Sequence, residues 1–460
     1  MTIIDEENRP IIKKKPEAAE SSDEKNQSLW SLSSGKRFLL VMMFFGNVFV
    51  FSGYSLLSPF FPNEAAKKGT SPGLVGLIIS SYEFVMFLTA PLFGKYIATL
   101  GFRFMYVTGV FVCAFCTALF GILAYGPSGI IFIVMCLLTR SLEAIGSSAF
   151  ITACLTLGTI SFPDNVALVA GYLESAMSVG TLIGPTIGGI LFQEGGYYLP
   201  FVTVGGAILV CGVVSCAFLP KPEKAIPGKA GSYTVLFRSK VVCLSTYVII
   251  CMGFSLSFFS PTLAQHLQQF NLNPLLIGLV FTACPVIYFL LGPITGRMAD
   301  SGYHKPMMVT GCFLTFLGIH LIGPSPLLST KPTLWITIVG LLVIGCGLAF
   351  SQSSSLKNIV EGARSIGIGA DSNVYGLMSG VYTSAFAVGM FTGPLVGGFT
   401  VEHLGFQMSC LVLSIPVLIS GILVTIYTAS VSTCMCKCRS VCCDQHSSED
   451  QEMIMLQAKP

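Results

Sequence analysis

Long apolar stretches recur along most of the chain and alternate with short polar segments. A helix needs about 20 apolar residues to cross the hydrocarbon core of a bilayer. On that criterion the sequence predicts twelve membrane-spanning helices, or eleven if one loop is misread. The predicted spans are residues 38–61, 73–94, 104–125, 129–160, 166–192, 199–219, 241–261, 275–296, 306–323, 333–358, 373–399 and 404–428.

The polar segments divide the chain into five parts. We predict a disordered cytoplasmic tail at 1–36, a six-helix bundle at 37–219, a cytoplasmic central loop at 220–240, a second six-helix bundle at 241–428 and a cytoplasmic tail at 429–460. The N-terminal tail and the central loop are rich in Lys and Arg, which membrane proteins concentrate on the cytoplasmic side. Both termini are therefore expected to be cytoplasmic.

The composition excludes an ordinary soluble protein. Charged residues make up 10% of the chain and hydrophobic residues 53%, whereas a soluble domain carries about 25% charged residues. The 48 Gly and 24 Pro agree with this, because both types are more frequent in membrane helices than in soluble ones. The predicted fold class is an all-α polytopic membrane protein.

Three pairs of short motifs recur in the same order in the two predicted bundles. Internal repeats of this kind are typical of transporters, which place a substrate site between two related halves. The sequence therefore predicts two related six-helix halves. The paired motifs are SPGLVGL at 71–77 with NPLLIGL at 273–279, APLFG at 90–94 with GPITG at 292–296, and GTLIGPTIGG at 180–189 with GMFTGPLVGG at 389–398.

The loop after the second predicted helix has a distinctive pattern. The segment GKYIATLGFR, which runs from Gly94 through Gly101 to Arg103, resembles the signature loop between helices 2 and 3 of the major facilitator superfamily. Its second copy, GRMADSGYHK, keeps the family's acid as Asp300, whereas Ala98 stands at that position in the first. The resemblance implies the twelve-helix major facilitator fold and a loop that latches the outward-open state. An ordinary basic loop is the alternative.

A glycine–proline motif lies in helices 5 and 11. Gly184 and Pro185 in the first half match Gly393 and Pro394 in the second, and both pairs resemble the antiporter signature of the same superfamily. Small residues let helices approach closely, and Pro removes a backbone hydrogen bond and permits bending. The resemblance implies exchange of one solute for another; a packing role alone is the alternative.

Several charged residues lie within apolar runs, where an unpaired charge is costly. Arg140 and Glu143 belong to RSLEAIGSSA, which resembles the helix 4 motif associated with proton coupling, and their spacing allows an ion pair. Glu83 and Glu174 are isolated acids in helices 2 and 5. Carboxylates in such settings exchange protons or bind cations. The alternatives are a structural ion pair, a site at the lipid–water boundary or a hydrogen bond to a neighbouring helix.

Two longer stretches, VYGLMSGVYTSAFAVGMFTGP and RSLEAIGSS, resemble the vesicular amine transporter family, and the whole chain resembles its polyamine branch. The acids of the monoamine and acetylcholine members in helices 1 and 11 match Gly46 and Thr383 here, and their helix 2 Lys matches Tyr82. The three membrane acids would therefore serve instead, which suits a substrate with several ammonium groups. Asn47 and Tyr82 are further candidates for the substrate site.

Both tails carry candidate signals. Glu7, Ile11 and Ile12 resemble an acidic dileucine signal, which implies clathrin adaptors as partners and a vesicular or lysosome-related destination. Cysteines directly after the last predicted span are candidates for palmitoylation, and a metal site is the weaker alternative. These cysteines are Cys434, Cys436, Cys438, Cys442 and Cys443.

The resemblance implies a proton-coupled antiporter that loads organic cations into acidic secretory or synaptic vesicles. Polyamines such as spermidine and spermine are the favoured substrates, and monoamines are further candidates. The alternatives are a major facilitator carrier of a drug or small metabolite, or a non-transporting receptor or sorting protein on the same fold. We find no nucleophile–base set and expect no enzyme activity, cofactor, metal or nucleic-acid partner; protons, the substrate and the bilayer are the expected partners.

Overall fold

The computed structural model describes residues 33–219, 232–272, 274–323, 333–367 and 372–430. Within these residues the backbone forms twelve long α-helices and no β-strand. The predicted all-α fold class is therefore confirmed. The boundaries of the five segments and the cytoplasmic location of both tails stay predictions.

The helices are numbered α1 to α12 in chain order, and a one-turn helix at Tyr233–Leu236 precedes α7. The first half consists of α1 Ser34–Lys67, α2 Pro72–Leu100, α3 Phe102–Ile122, α4 Ile130–Ser161, α5 Val166–Gly195 and α6 Tyr198–Phe218. The second half consists of α7 Lys240–Gln268, α8 Pro274–Met298, α9 His304–Ile322, α10 Leu334–Ser365, α11 Ser372–Leu404 and α12 Phe406–Ser430.

Length and hydropathy alone give eleven candidate membrane spans in the described residues. The difference from twelve comes from one 47-residue stretch, Leu276–Ile322, which contains both α8 and α9. A five-residue π-helical turn at Ala299–Tyr303 separates the two, and inside it Gly302 has φ +100°. The assigned helix runs on through this turn, so the two spans that the sequence predicted at 275–296 and 306–323 are counted there as one.

Several helices are longer than their predicted apolar spans. The helix α1 continues to Lys67, beyond the predicted end at 61, and α10 continues to Ser365, beyond 358. The apolar criterion marks only the part of a helix that matches the hydrocarbon core, whereas hydrogen bonding extends into the polar boundary regions. The ends of the helices are therefore more polar than the predicted spans.

The repeated sequence motifs mark helix starts and tight links. The helices α2 and α8 begin at Pro72 and Pro274, where a missing N–H costs nothing and the fixed φ suits a helix. Gly101 alone links α2 to α3 with φ +86°, and Gly302 occupies the matching place between α8 and α9. Both loops thus need a residue that tolerates a positive φ.

Glycines bring helices of the two halves into backbone contact at one end of the bundle. A Cβ on Gly94 of α2 would meet the carbonyl oxygen of Gly376 of α11, and a Cβ on Gly171 of α5 would meet that of Gly292 of α8. This is the end at which α2 and α8 finish and α5 and α11 begin, the predicted cytoplasmic end. The two halves are therefore closed against each other there.

Candidate functional site

A cavity of about 580 Å³ lies between the two halves, and residues from both halves line it. Its lining includes Ser58, Gly76 and Ser260, which are exposed near the end where α1 finishes and α2 begins. The opposite end is closed by the glycine contacts between helices. The cavity thus opens toward one side of the bundle, which is the lumenal side in the predicted orientation.

Glu174 on α5 lines the cavity and is held entirely by the second half. Its Oε1 accepts a hydrogen bond from the Tyr382 hydroxyl of α11 at 2.6 Å, and its Oε2 accepts one from the Tyr288 hydroxyl of α8 at 2.9 Å. The Glu174 residue is 8% exposed. A carboxylate at this depth is thus tied to the opposite half by two phenols.

Glu83 on α2 lines the same cavity and is less fully bonded. The Tyr54 hydroxyl of α1 lies beside its carboxylate, and Oε2 has no hydrogen-bond partner. Glu83 is 6% exposed. Because a buried polar atom without a partner is costly, this oxygen is available to a ligand that enters the cavity.

Arg140 and Glu143 on α4 lie outside the cavity lining and bond to each other. Nη1 of Arg140 lies 2.7 Å from Oε2 of Glu143, and Thr117 of α3 donates to Oε1 of Glu143 at 3.1 Å. The guanidinium also lies 4.3 Å from the ring centre of Tyr82 and 5.1 Å from that of Tyr54. This charge is thus neutralised and covered by aromatic rings.

Tyr82 and Asn47 occupy different positions relative to the cavity. Tyr82 is 1% exposed and packs its ring against Tyr54, with 4.8 Å between ring centres, behind the lining. Asn47 lines the cavity, and its side-chain amide donates to the Met43 carbonyl at 2.8 Å and to Sγ of Cys154 at 3.3 Å. Asn47 therefore lies on the cavity wall, whereas Tyr82 lies behind it and packs on Tyr54.

The acid of the second signature loop closes the predicted cytoplasmic end. Asp300 accepts hydrogen bonds from the backbone amides of Ala167, at 3.2 Å, and Leu168, at 2.7 Å, in the first turn of α5. It also lies 3.0 Å from Nζ of Lys357 on α10. A carboxylate at a helix N-terminus is stabilised by the unpaired amides and the helix dipole. Asp300 thus binds the first half to the second.

The first signature loop lacks this acid and is bonded differently. Arg103 donates through Nη2 to the Cys216 carbonyl at 2.6 Å, near the C-terminal end of α6. Tyr233, in the one-turn helix before α7, donates its hydroxyl to the Pro91 carbonyl of α2 at 2.5 Å. A Cβ on Gly94 would lie 2.8 Å from that hydroxyl. The phenol of Tyr233 therefore fills the groove beside Gly94.

The glycine–proline motifs lie at helix contacts within each half. A Cβ on Gly184 would meet the Ser52 carbonyl of α1, and a Cβ on Gly393 would meet Oγ of Ser257 on α7. Pro185 and Pro394 follow inside α5 and α11, and Pro394 also lines the cavity. These contacts fix the packing of α5 on α1 and of α11 on α7; a role in exchange stays a prediction.

The sequence pattern did not predict Tyr288 and Tyr382 as site residues. No group of three His, Cys, Asp or Glu in the described ranges could hold a metal ion. The predicted tail signals lie outside the described residues. They are Glu7, Ile11, Ile12, Cys434, Cys436, Cys438, Cys442 and Cys443.

The fold and sequence match known transporters. The family model of the Major Facilitator Superfamily matches residues 43–379. The crystal structure of the human organic anion transporter MFSD10 (TETRAN) superimposes with a TM-score of 0.67 at 17% identity, covering 85% of this chain and 100% of that one. At this identity the likeness concerns the fold alone.

Sequence relatives narrow the assignment. The mouse protein named MFS-type transporter SLC18B1 is 34% identical over 400 residues, which cover 86% of this chain and 87% of the relative. The synaptic vesicular amine transporter of Bos taurus is 24% identical over 351 residues, covering 72% of this chain and 62% of the relative. The chain therefore belongs to the Major Facilitator Superfamily, as a transporter related to SLC18B1 and, at lower identity, to the vesicular amine transporters.

Proposed function

We propose that this protein is a proton-coupled antiporter that moves organic cations, foremost polyamines such as spermidine and spermine, from the cytosol into acidic vesicles. The observation that carries the proposal is the pair of carboxylates, Glu83 and Glu174, that face one cavity between the two halves. The relationship to a synaptic vesicular amine transporter supports an amine as the substrate.

The charge of the cavity favours a cation over an anion. Among the described residues that line it, two are acids and none is Lys, Arg or His. Arg140 lies outside the lining and is paired with Glu143. An anion would meet two carboxylates without a compensating base, whereas an ammonium group would pair with either of them.

Two separate carboxylates suit a substrate with at least two ammonium groups. Glu83 comes from α2 of the first half and has a free oxygen, and Glu174 comes from α5 and is bonded to the second half. A monoamine would leave one of them without a cation. The ring of Tyr54 in the lining supplies an aromatic face for the methylene chain and ammonium groups, whereas the hydroxyls of Tyr288 and Tyr382 are donated to Glu174.

Proton exchange supplies the driving force. A gradient of about two pH units is worth about 2.7 kcal/mol per proton, at about 1.36 kcal/mol per unit. This supports about a hundredfold accumulation per proton in a neutral exchange. One carboxylate holds either a proton or the substrate, so protons that leave the vesicle draw cations in.

The remaining motifs complete the proposal. Both termini face the cytosol, the loops containing Gly94 and Asp300 control the cytoplasmic end, and the glycine–proline motifs support exchange. The N-terminal Glu7, Ile11 and Ile12 address the protein to vesicles through clathrin adaptors, and the cysteines that follow α12 accept palmitoyl groups at the membrane surface.

Transport into proteoliposomes tests the proposal. Purified protein is reconstituted, an acidic lumen is imposed, and uptake of labelled spermidine, serotonin and acetylcholine is measured with and without a protonophore. We expect saturable spermidine uptake that the protonophore abolishes. Absence of uptake for all three cations, in vesicles that contain folded protein, would overturn the proposal.

A further inference from the structure

The bonds of Glu174 cross the boundary between the two halves. The carboxylate belongs to α5, and the hydroxyls that hold its two oxygens belong to α8 and α11. Glu143, in contrast, is bonded within its own half by Arg140 and Thr117. Of the three membrane acids, Glu174 is therefore the one whose protonation or ligand binding directly changes hydrogen bonds to the opposite half.

These bonds lie next to the closed end of the bundle. Ser175, the residue after Glu174, donates to the Phe289 carbonyl of α8 at 3.0 Å. One turn earlier on α5, a Cβ on Gly171 would meet the carbonyl oxygen of Gly292. If α5 and α8 separate to open the cytoplasmic end, the bond between Glu174 and Tyr288 must break together with this contact.

The Glu174 carboxylate can be ionised, protonated or bound to an ammonium group, and each of these conditions affects its two hydrogen bonds differently. An ionised carboxylate accepts strong hydrogen bonds from both phenols. A protonated carboxyl group loses its charge and turns one oxygen into a donor. An ammonium group that binds the carboxylate competes for the same lone pairs. The titratable groups that face the Glu174 carboxylate are Tyr382 and Tyr288, and Cys284 lines the cavity on the same helix as Tyr288.

We propose that Tyr288 and Tyr382 are positioning residues that make opening of the cytoplasmic end depend on the occupant of Glu174. With Glu174 ionised and empty, both phenols hold α8 and α11 to α5 and keep the cytoplasmic end closed. A proton or a substrate ammonium weakens these bonds and releases the closed end. The identity of the cation rests on the proposed function. The link between the bonds of Glu174 and the closed end does not depend on which cation is transported.

If opening depends on the occupant of Glu174, loss of the two hydroxyls affects coupling in a way that a purely structural role would not. A carrier without the two hydroxyls reorients with Glu174 empty, so protons and substrate no longer move in a fixed ratio. Exchange of substrate for substrate at equal pH needs no such ratio and persists. Loss of coupling with retained exchange therefore distinguishes the proposed role from damage to the fold.

The test compares Tyr288→Phe, Tyr382→Phe and their double variant with Tyr247→Phe. Tyr247 is a matched control, because its hydroxyl donates to the Pro416 carbonyl at 3.2 Å within the second half. We expect the double variant to retain measurable spermidine–spermidine exchange, and to lose pH-driven accumulation relative to that exchange by about tenfold or more, as for a lost bond to a charged group. The control is expected to match wild type in both assays.

A second measurement needs no substrate. Hydrogen–deuterium exchange of the α5 segment 166–175 reports separation of α5 from α8, and we expect it to accelerate in the double variant and not in Tyr247→Phe. If wild type transports cations but the double variant keeps its accumulation and its α5 protection, the inference fails and the function stands. If wild type transports no cation while the double variant accelerates exchange in α5, the function fails and the contact between halves stands.

Discussion

Arg140 and Glu143 form a salt bridge inside the first half, with 2.7 Å between Nη1 and Oε2 and with their side chains 2% and 5% exposed. Removal of one partner from a buried pair leaves an uncompensated charge, which costs about 3–5 kcal/mol. We expect Glu143→Gln to lower the thermal unfolding temperature of the purified protein clearly more than Glu83→Gln does, as measured by scanning fluorimetry.

The double variant Arg140→Gln/Glu143→Gln is the control for this prediction. It removes both charges, so it should recover part of the lost stability. A Glu143→Gln protein that unfolds at the wild-type temperature would show that the ion pair does not stabilise the first half.

Glu83 has one oxygen without a hydrogen-bond partner in the cavity. Glu83→Gln removes the charge that an ammonium group would meet and breaks no ion pair within the protein. We expect the KM for spermidine to rise by about tenfold or more, as for loss of a hydrogen bond to a charged group, with little change in unfolding temperature. Initial uptake rates over a range of spermidine concentrations measure the KM.

The matched control for Glu83 is Glu402→Gln, because Glu402 lies on α11 with its side chain exposed. This control should leave the KM unchanged. An unchanged KM in Glu83→Gln as well would remove Glu83 from the substrate site.

The closed end depends on backbone contact at Gly94. A methyl group there would meet the carbonyl oxygen of Gly376 and lie 2.8 Å from the Tyr233 hydroxyl, so Gly94→Ala must push α2 away from α11. We expect faster hydrogen–deuterium exchange at the start of α11 and slower net uptake. Gly206→Ala in α6 is the control, because nothing lies within 4 Å of a Cβ at that position; equal behaviour of the two variants would count against the contact.

Asp300 ties the start of α5 to the second half through two backbone amides and Lys357. Asp300→Asn keeps the shape but removes the charge that Lys357 and the helix N-terminus favour. We expect faster hydrogen–deuterium exchange in the first turn of α5. Asp164→Asn changes an exposed acid next to the same helix start and should have no effect; protection equal to wild type in Asp300→Asn would contradict the assigned role.

Much of the fold follows from local sequence. The positions of the helices follow from the length of the apolar runs. Prolines such as Pro72 mark where helices begin, and glycines such as Gly101 mark the links between them. The ends of α1 and α10 were predicted too short, because hydrogen bonding continues past the apolar part. The link between α8 and α9 lies in the gap predicted between 296 and 306, whereas its helical form, with Gly302 at φ +100°, was not predicted.

The candidate site was predicted in part. Acids in apolar runs stand out in a sequence, so Glu83 and Glu174 were found. The phenols that hold Glu174 were not, because Tyr288 and Tyr382 lie 114 and 208 residues away along the chain, and tyrosines in membrane helices give no distinctive pattern. Tyr233 was missed because its partner, Pro91, lies 142 residues away along the chain. Contacts between the halves depend on how the halves pack, which local patterns do not encode.

If the two cavity carboxylates exchange protons for an organic cation, the entry of the cation and the exit of protons are visible in one recording. Proteoliposomes with an acidic lumen and an internal pH indicator receive spermidine from outside. We predict that spermidine alkalinises the lumen in wild type and in Glu402→Gln, and causes no change in the double variant Glu83→Gln/Glu174→Gln. Spermidine uptake without any lumenal pH change in wild type, or an unaltered response in the double variant, would contradict the account.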